Sequence, residues 1–170
     1  MPVAEWLSYN TKTFKKLKEM TAQARDILIY NKEELYMAAE PLEDYLKKTK
    51  LPHKLVAPHT ACWKGYTSKW AIDNKKLFLI EWQGYILDYQ NVGMEYLFPD
   101  EEIVFAKWFT GKIRIGMGDM VRYVHGGYAS VHEGDMFLIF ENGELVNEYI
   151  KWLTQEEIEK IEKEEYDLPF

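Results

Sequence analysis

Apolar residues recur along this chain with two different periods, one near its ends and another through its middle. Phe14, Leu17 and Met20 fall three apart with lysines between them. That spacing predicts an amphipathic helix from about residue 11 to residue 22, capped by Asn10 or Thr11. Asp26-Ile27-Leu28-Ile29-Tyr30 fits an extension of that helix or a short strand, because four consecutive apolar side chains satisfy both. Pro41 suits the first turn of a helix over residues 41–49, where its missing amide proton costs nothing. Leu42, Tyr45 and Leu46 give that helix one apolar side, and Lys47 and Lys48 suit its carboxyl end. Residues 51–60 carry Pro52, Pro58, His53 and His59 without periodicity and read as a surface connector.

Beyond residue 63 the pattern shortens to strands. Trp70-Ala71-Ile72 leads through a turn at 73–75 into residues 76–82, and Gly84 suggests a further turn before Tyr85-Ile86-Leu87. Residues 103–105, 112–115 and 120–124 are the next strand candidates, separated by Gly111 and by Gly116-Met117-Gly118-Asp119. The strongest local signal is Met136 to Phe140, then Glu141-Asn142-Gly143-Glu144, then Leu145 to Ile150. Asn-Gly occupies both left-handed positions of a tight hairpin turn whose twist matches its strands. Thr154 and Glu157 form a capping-box pattern at the start of a closing helix over 154–165, with Ile158 and Ile161 on one side and Leu153 as a staple.

These elements predict one α+β domain spanning residues 1–170. Its helical front occupies 1–50, an antiparallel, strand-rich central sheet or partly open barrel is built from 63–150, and short helices lie near both ends. The middle lacks the dozen-residue helical crossovers that parallel strands require. Gly65-Tyr66-Thr67-Ser68 and Gly127-Tyr128-Ala129-Ser130 each precede a Phe-Leu-Ile strand, which supports repeated hairpins within one sheet.

Composition narrows the function classes. At 170 residues, with 15% aromatic and 47% hydrophobic residues, the chain is large enough to fold around one core and too apolar for disorder. A formal net charge of -7 disfavours nucleic acid, and no apolar run approaches the roughly 18 residues of a membrane helix. The charge is uneven, at +2 over residues 1–60, -5 over 61–150 and -4 over 151–170. Cys62, the single cysteine, excludes an intramolecular disulfide; together with an amino terminus lacking a signal pattern, this predicts a cytoplasmic protein.

Two groups of residues carry candidate chemistry. His125, His132, Glu133 and Asp135 surround a two-glycine connection, where imidazole can exchange a proton at neutral pH and a carboxylate can orient it. They are the catalytic candidates for a small hydrolase or ligand-processing enzyme, although Glu133-Gly134-Asp135 is equally a plain polar turn. The same residues with His53 and His59 lack a diagnostic metal spacing, and no cofactor motif occurs. Cys62 with His59, or Ser130 with either histidine, lacks the setting of an activated nucleophile.

The second group is aromatic. Trp108 and Phe109 are adjacent rings that cannot both point inward from one regular strand. With Arg114, Arg122 and Tyr128 they form the candidate binding set. The sequence therefore favours a non-enzymatic interaction or specificity protein whose aromatic-rich, acidic sheet surface takes a protein partner or a second copy of itself. The enzyme is the alternative, and a small-ligand-binding domain is a further one.

Overall fold

The computed structural model describes residues 22–166. The helix expected over residues 11–22 therefore lies outside the described residues, except that Ala22 forms a parallel bridge with Gly127. Nine strands form one sheet: β1 (Asp26–Tyr30), β2 (Glu33–Met37), β3 (Tyr66–Asp73), β4 (Lys76–Ile86), β5 (Gln90–Val92), β6 (Val104–Phe105), β7 (Gly111–Arg122), β8 (Val131–Glu141) and β9 (Glu144–Trp152). Among the described residues two α-helices accompany them, α1 (Glu43–Lys48) and α2 (Gln155–Tyr166), with 3-10 turns at Leu87–Tyr89 and Met94–Tyr96.

The strand order is β3-β1-β2-β7-β8-β9-β4-β5, and β4 also pairs with β3, so the sheet returns on itself. Two seams of this barrel are thin. β2 meets β7 only at Met37 and Ile115, and β9 meets β4 only at Glu144 and Lys76. The fold is thus α+β with a mixed sheet and short flanking helices, as the patterning predicts, with one parallel addition. β1 runs parallel to β3, Leu28 beside Trp70. The chain between them, including β2 and α1, supplies the long connection that parallel strands need.

Leu28, Trp70, Leu77, Leu79, Ile113 and Leu138 are fully buried on the inner face. Alternation places Asp26, Leu28 and Tyr30 on the inward side of β1, which resolves the ambiguity at residues 26–30 in favour of strand. Two turns expected from glycine are absent. Gly84 lies within continuous β4, where the Trp82 ring covers its Cα and leaves no room for a Cβ. Gly116-Met117-Gly118-Asp119 lies within continuous β7, where Gly118 at φ 73° takes up an irregularity in the pairing with β8.

The Asn142-Gly143 hairpin forms as predicted, with φ of 49° and 80°. Asn31-Lys32 and Asn74-Lys75 make similar turns, with lysine in the left-handed region at φ 67° and 61°. A left-handed lysine carries a backbone cost that glycine avoids. Lys75→Gly is expected to raise stability by about 0.5–1 kcal/mol, read as a higher urea midpoint with an unchanged slope.

Candidate functional site

The aromatic residues sort first by direction. Tyr66, Trp70, Trp82, Phe109 and Phe140 are buried core. The expectation that Trp108 and Phe109 form an exposed anchor is not met. Phe109 is 8% exposed and packs on Phe140, with ring centroids 5.6 Å apart. Trp108, half-buried, stacks on Phe98 at 5.9 Å and packs tilted against Tyr45 at 4.8 Å, and its Nε1–H donates to the Pro41 carbonyl at 2.9 Å. Both rings can turn inward because residues 106–110 form a tight turn rather than a regular strand, closed by the Phe109 amide donating to Ala106 at 2.9 Å. Trp108 thus joins α1 to the barrel, while Phe109 fills the core.

The histidine and carboxylate candidates likewise engage separate neighbours. His125 is exposed in the β7–β8 connection, its ring edge-on to Tyr123 at 4.6 Å. Glu133 accepts the Asp119 amide at 2.9 Å and so holds the irregular part of β7. Asp135 pairs with Arg114 at 3.2 Å. The half-buried His132 ring lies against Gly116, where a Cβ would collide with it, and its Nδ1 is buried without a hydrogen-bond partner. Burial, and then Arg25, lower its pKa, so the imidazole is neutral at pH 7. His132 and Asp135 are within electrostatic reach of each other, but each of the four candidates is engaged by a different neighbour. Among the described residues no three His, Cys, Asp or Glu side chains gather as a metal site.

The remaining candidates are structural in their contacts. Burial pushes the Cys62 thiol pKa up, and its Sγ–H donates to the Tyr66 carbonyl at 3.3 Å, away from His59 chemistry. Ser130 accepts the Val124 amide at 3.1 Å. Arg122 reaches Glu164 at 3.9 Å and ties the end of β7 to α2. Tyr128 donates its hydroxyl to Glu40 at 3.1 Å, and burial followed by the Glu40 charge raises its pKa.

Two polar groupings escape a reading of local motifs. In one, Asp26 accepts the Ser68 amide at 2.9 Å and the Ser68 hydroxyl at 2.6 Å while pairing with Lys64, and the Trp70 indole donates to Ser68 at 2.7 Å. In the other, Arg114 donates to Asp135 and to the Tyr128 carbonyl, with Arg25 and His132 in the same electrostatic neighbourhood. Their members are spread over residues 25–135, so no spacing announces them.

What stays outside is concentrated on β9. Val146, Tyr149, Ile150 and Trp152 are all exposed, Trp152 by 55%. Tyr149 packs on Phe137 at 5.1 Å on one side of the strand, and alternation puts Ile150 and Trp152 on the other. One edge of β9 is paired with β8 along its length, with one irregularity, whereas among the described residues the opposite edge pairs only at Glu144, where the Leu145 amide also donates to the Lys75 carbonyl. A groove of about 510 Å³ runs beside that edge, lined by Tyr30, Asn31, Asp73, Val146, Asn147 and Glu148. Tyr30 donates its hydroxyl to Glu148 across it. Acidic α2 follows, with Glu156, Glu157, Glu159, Glu162 and Glu164 against Lys160 and Lys163. Its start is held by the expected capping box, Thr154 amide to Glu157 at 2.8 Å and Glu157 amide to Thr154 Oγ1 at 3.2 Å.

The chain matches no family model, no curated protein and no solved structure. The arrangement is a sheet-rich domain with clustered aromatic rings, ion pairs involving acidic residues and, among the described residues, a long strand β9 whose outer edge is largely unpaired.

Proposed function

We propose that this domain is a non-enzymatic interaction module that receives an extended segment of a partner protein along the outer edge of β9. The carrying observation is that edge, which among the described residues has no neighbouring strand from Val146 to Trp152 and bears large apolar side chains on both faces. An exposed edge strand offers unused backbone donors and acceptors, and partner strands add to such edges through main-chain hydrogen bonds, with alternate side chains supplying specificity. Tyr149 on one face and Ile150 with Trp152 on the other provide the rigid apolar contacts that dominate binding energy.

Charge selects the partner's chemistry. With a net charge of -7 and an acidic helix directly after β9, the surface favours a basic segment with alternating apolar residues and repels a second copy of this chain. A cytoplasmic setting fits the lone thiol and belongs to the same proposal.

Synthetic ten-residue peptides alternating isoleucine or tyrosine with lysine, measured by fluorescence anisotropy, test this reading. Ile150→Lys is expected to weaken binding roughly tenfold or more while leaving the thermal midpoint nearly unchanged, because the side chain is already 46% exposed. Backbone amide shifts confined to residues 146–152 would support strand addition. Shifts elsewhere, or self-association on concentration instead of peptide binding, would overturn it.

A further inference from the structure

The inner face of the sheet continues past the point where the barrel wall thins. Register across β2, β7, β8 and β9 places Met37, Ile115, Met136 and Ile150 in one row, and Met117, Gly134 and Trp152 in the next. Burial falls along the first row, from buried Met37 and Ile115 through half-buried Met136 to exposed Ile150. In the second row the Trp152 ring lies over Gly134, where a Cβ would collide with it. Two residues before Ile150 on the same face stands Glu148, opposite fully buried Leu138. Along β9 this extension of the core face thus carries a carboxylate and then two apolar side chains, at intervals of two.

The carboxylate stands at the closed end of the edge. There β9 meets β4 at Glu144 and Lys76, and the groove beside it is bounded by the turns at Asn31 and Asn74. Its charged lining is Asp73 and Glu148 against Lys75, which leaves one negative charge in excess. Neither carboxylate makes an ion pair among the described residues. Glu148 Oε2 accepts the Tyr30 hydroxyl, and among the described residues Oε1 accepts no hydrogen bond. The groove therefore has an exposed carboxylate oxygen, and the charge to receive one cation.

A strand added to β9 sets each of its side chains on the same face as the β9 residue directly opposite, whichever way it runs, with Cβ atoms about 4.5–5.5 Å apart. A residue facing Glu148 enters the groove, and those two and four positions further along face Ile150 and Trp152. Resting on the strand-addition reading, we propose that Glu148 fixes the register of the partner segment by taking one lysine or arginine side chain, assisted by Asp73. Two apolar residues follow that cation at intervals of two and cover Ile150 and Trp152. A slip of one residue turns the cation to the other face, opposite Asn147 or Tyr149, neither of which is charged, and turns both apolar side chains away from the core face. The partner is thus a segment whose cation and apolar residues share one face, rather than a strand with its charges on one side and its apolar residues on the other.

The full chain is titrated with ten-residue threonine-based peptides carrying two alternate isoleucines and one lysine, in either chain order. In one set the lysine lies two residues from the nearer isoleucine, in a second it is moved by one residue, and in a third glutamate replaces it. The in-phase lysine peptide is expected to bind roughly fivefold or more tightly than the other two. Glu148→Gln should abolish that preference with an unchanged thermal midpoint, since the side chain is exposed, and Glu148→Lys should invert it in favour of glutamate. Equal affinities for all three peptides, with amide shifts over residues 146–152 in each case, would overturn this inference and leave strand addition standing. Absence of those shifts with every peptide would overturn both. Slow hydrogen exchange of the β9 edge amides in the peptide-free chain, or self-association on concentration, would also overturn it, because the edge would then be held by this chain's own residues or by a second copy.

Discussion

Asp26→Ala should lower the unfolding free energy by about 3–5 kcal/mol, among the largest effects of any polar substitution here. The Asp26 carboxylate is 2% exposed and the Lys64 side chain 9%, so their pairing takes place almost entirely away from water. Removing the carboxylate strands the Lys64 ammonium, leaves the Ser68 amide without its acceptor and removes a partner of the Ser68 hydroxyl. What remains to Lys64 is the face of Tyr66, 4.6 Å from its ring centre. That contact is weak compensation for a desolvated cation.

The diagnostic comparison is the double variant Asp26→Ala with Lys64→Met, which removes both charges. It should recover much of the loss, because the penalty comes from an uncompensated buried charge more than from the net value of the pair. Urea unfolding of the three variants measures this directly. A double variant as damaged as the single one would show that Asp26 acts mainly through Ser68.

Phe109→Ala is expected to cost about 3–5 kcal/mol, the usual range for truncating a buried phenylalanine. Its ring fills the inner face against Phe140, and neighbouring backbone at Ala106 and Gly143 is fixed by short-range hydrogen bonds that limit collapse around the void. For a domain of this size the corresponding fall in thermal midpoint is roughly 10 °C. Trp108→Ala should cost less, about 2–3 kcal/mol, since part of that ring is already solvated and its loss leaves one carbonyl, that of Pro41, without its donor. Trp152→Ala should change stability by less than about 0.5 kcal/mol. Calorimetry on these variants separates core rings from surface rings. A neutral Phe109→Ala would restore the surface-anchor reading that its burial argues against.

The same contrast shows what was legible locally. Asn142-Gly143 and Thr154 to Glu157 are complete within four residues, and both form as their chemistry predicts. Gly84 and Gly118 were misleading for a related reason. Glycine marks a place where a side chain cannot fit, and a turn is only one cause of that. At Gly84 the cause is the ring of Trp82, and at Gly118 it is an irregular pairing within a continuous strand. The inward turn of both Trp108 and Phe109 likewise depends on the tight backbone at residues 106–110, which breaks the alternation from which an exposed ring was expected.

Of the candidate site residues, Arg114, Tyr128, His132 and Asp135 do lie in one neighbourhood, but through different contacts from those their spacing suggests. Arg25 and Lys64 gave no local signal, because a lone arginine or lysine in sequence is indistinguishable from a solvated one. Only the tertiary structure brings Arg25 into the electrostatic neighbourhood of Arg114 and Asp135.

The amino-acid sequence by itself determined the class of this protein: one core, a strand-rich middle, tight hairpins, a capped acidic helix and an acidic net charge. These follow from periodicity and turn chemistry, which act over a few residues. Tertiary structure decided everything that depends on which strands are neighbours. It closed the sheet through the parallel β1–β3 pair, consumed Trp108 and Phe109 in packing, and left β9, among the described residues, with a largely unpaired edge. Side-chain period is two along any strand, so the sequence specifies which residues share a face. The neighbour across the gap is set by long-range pairing, and that determines whether a face or an edge is covered.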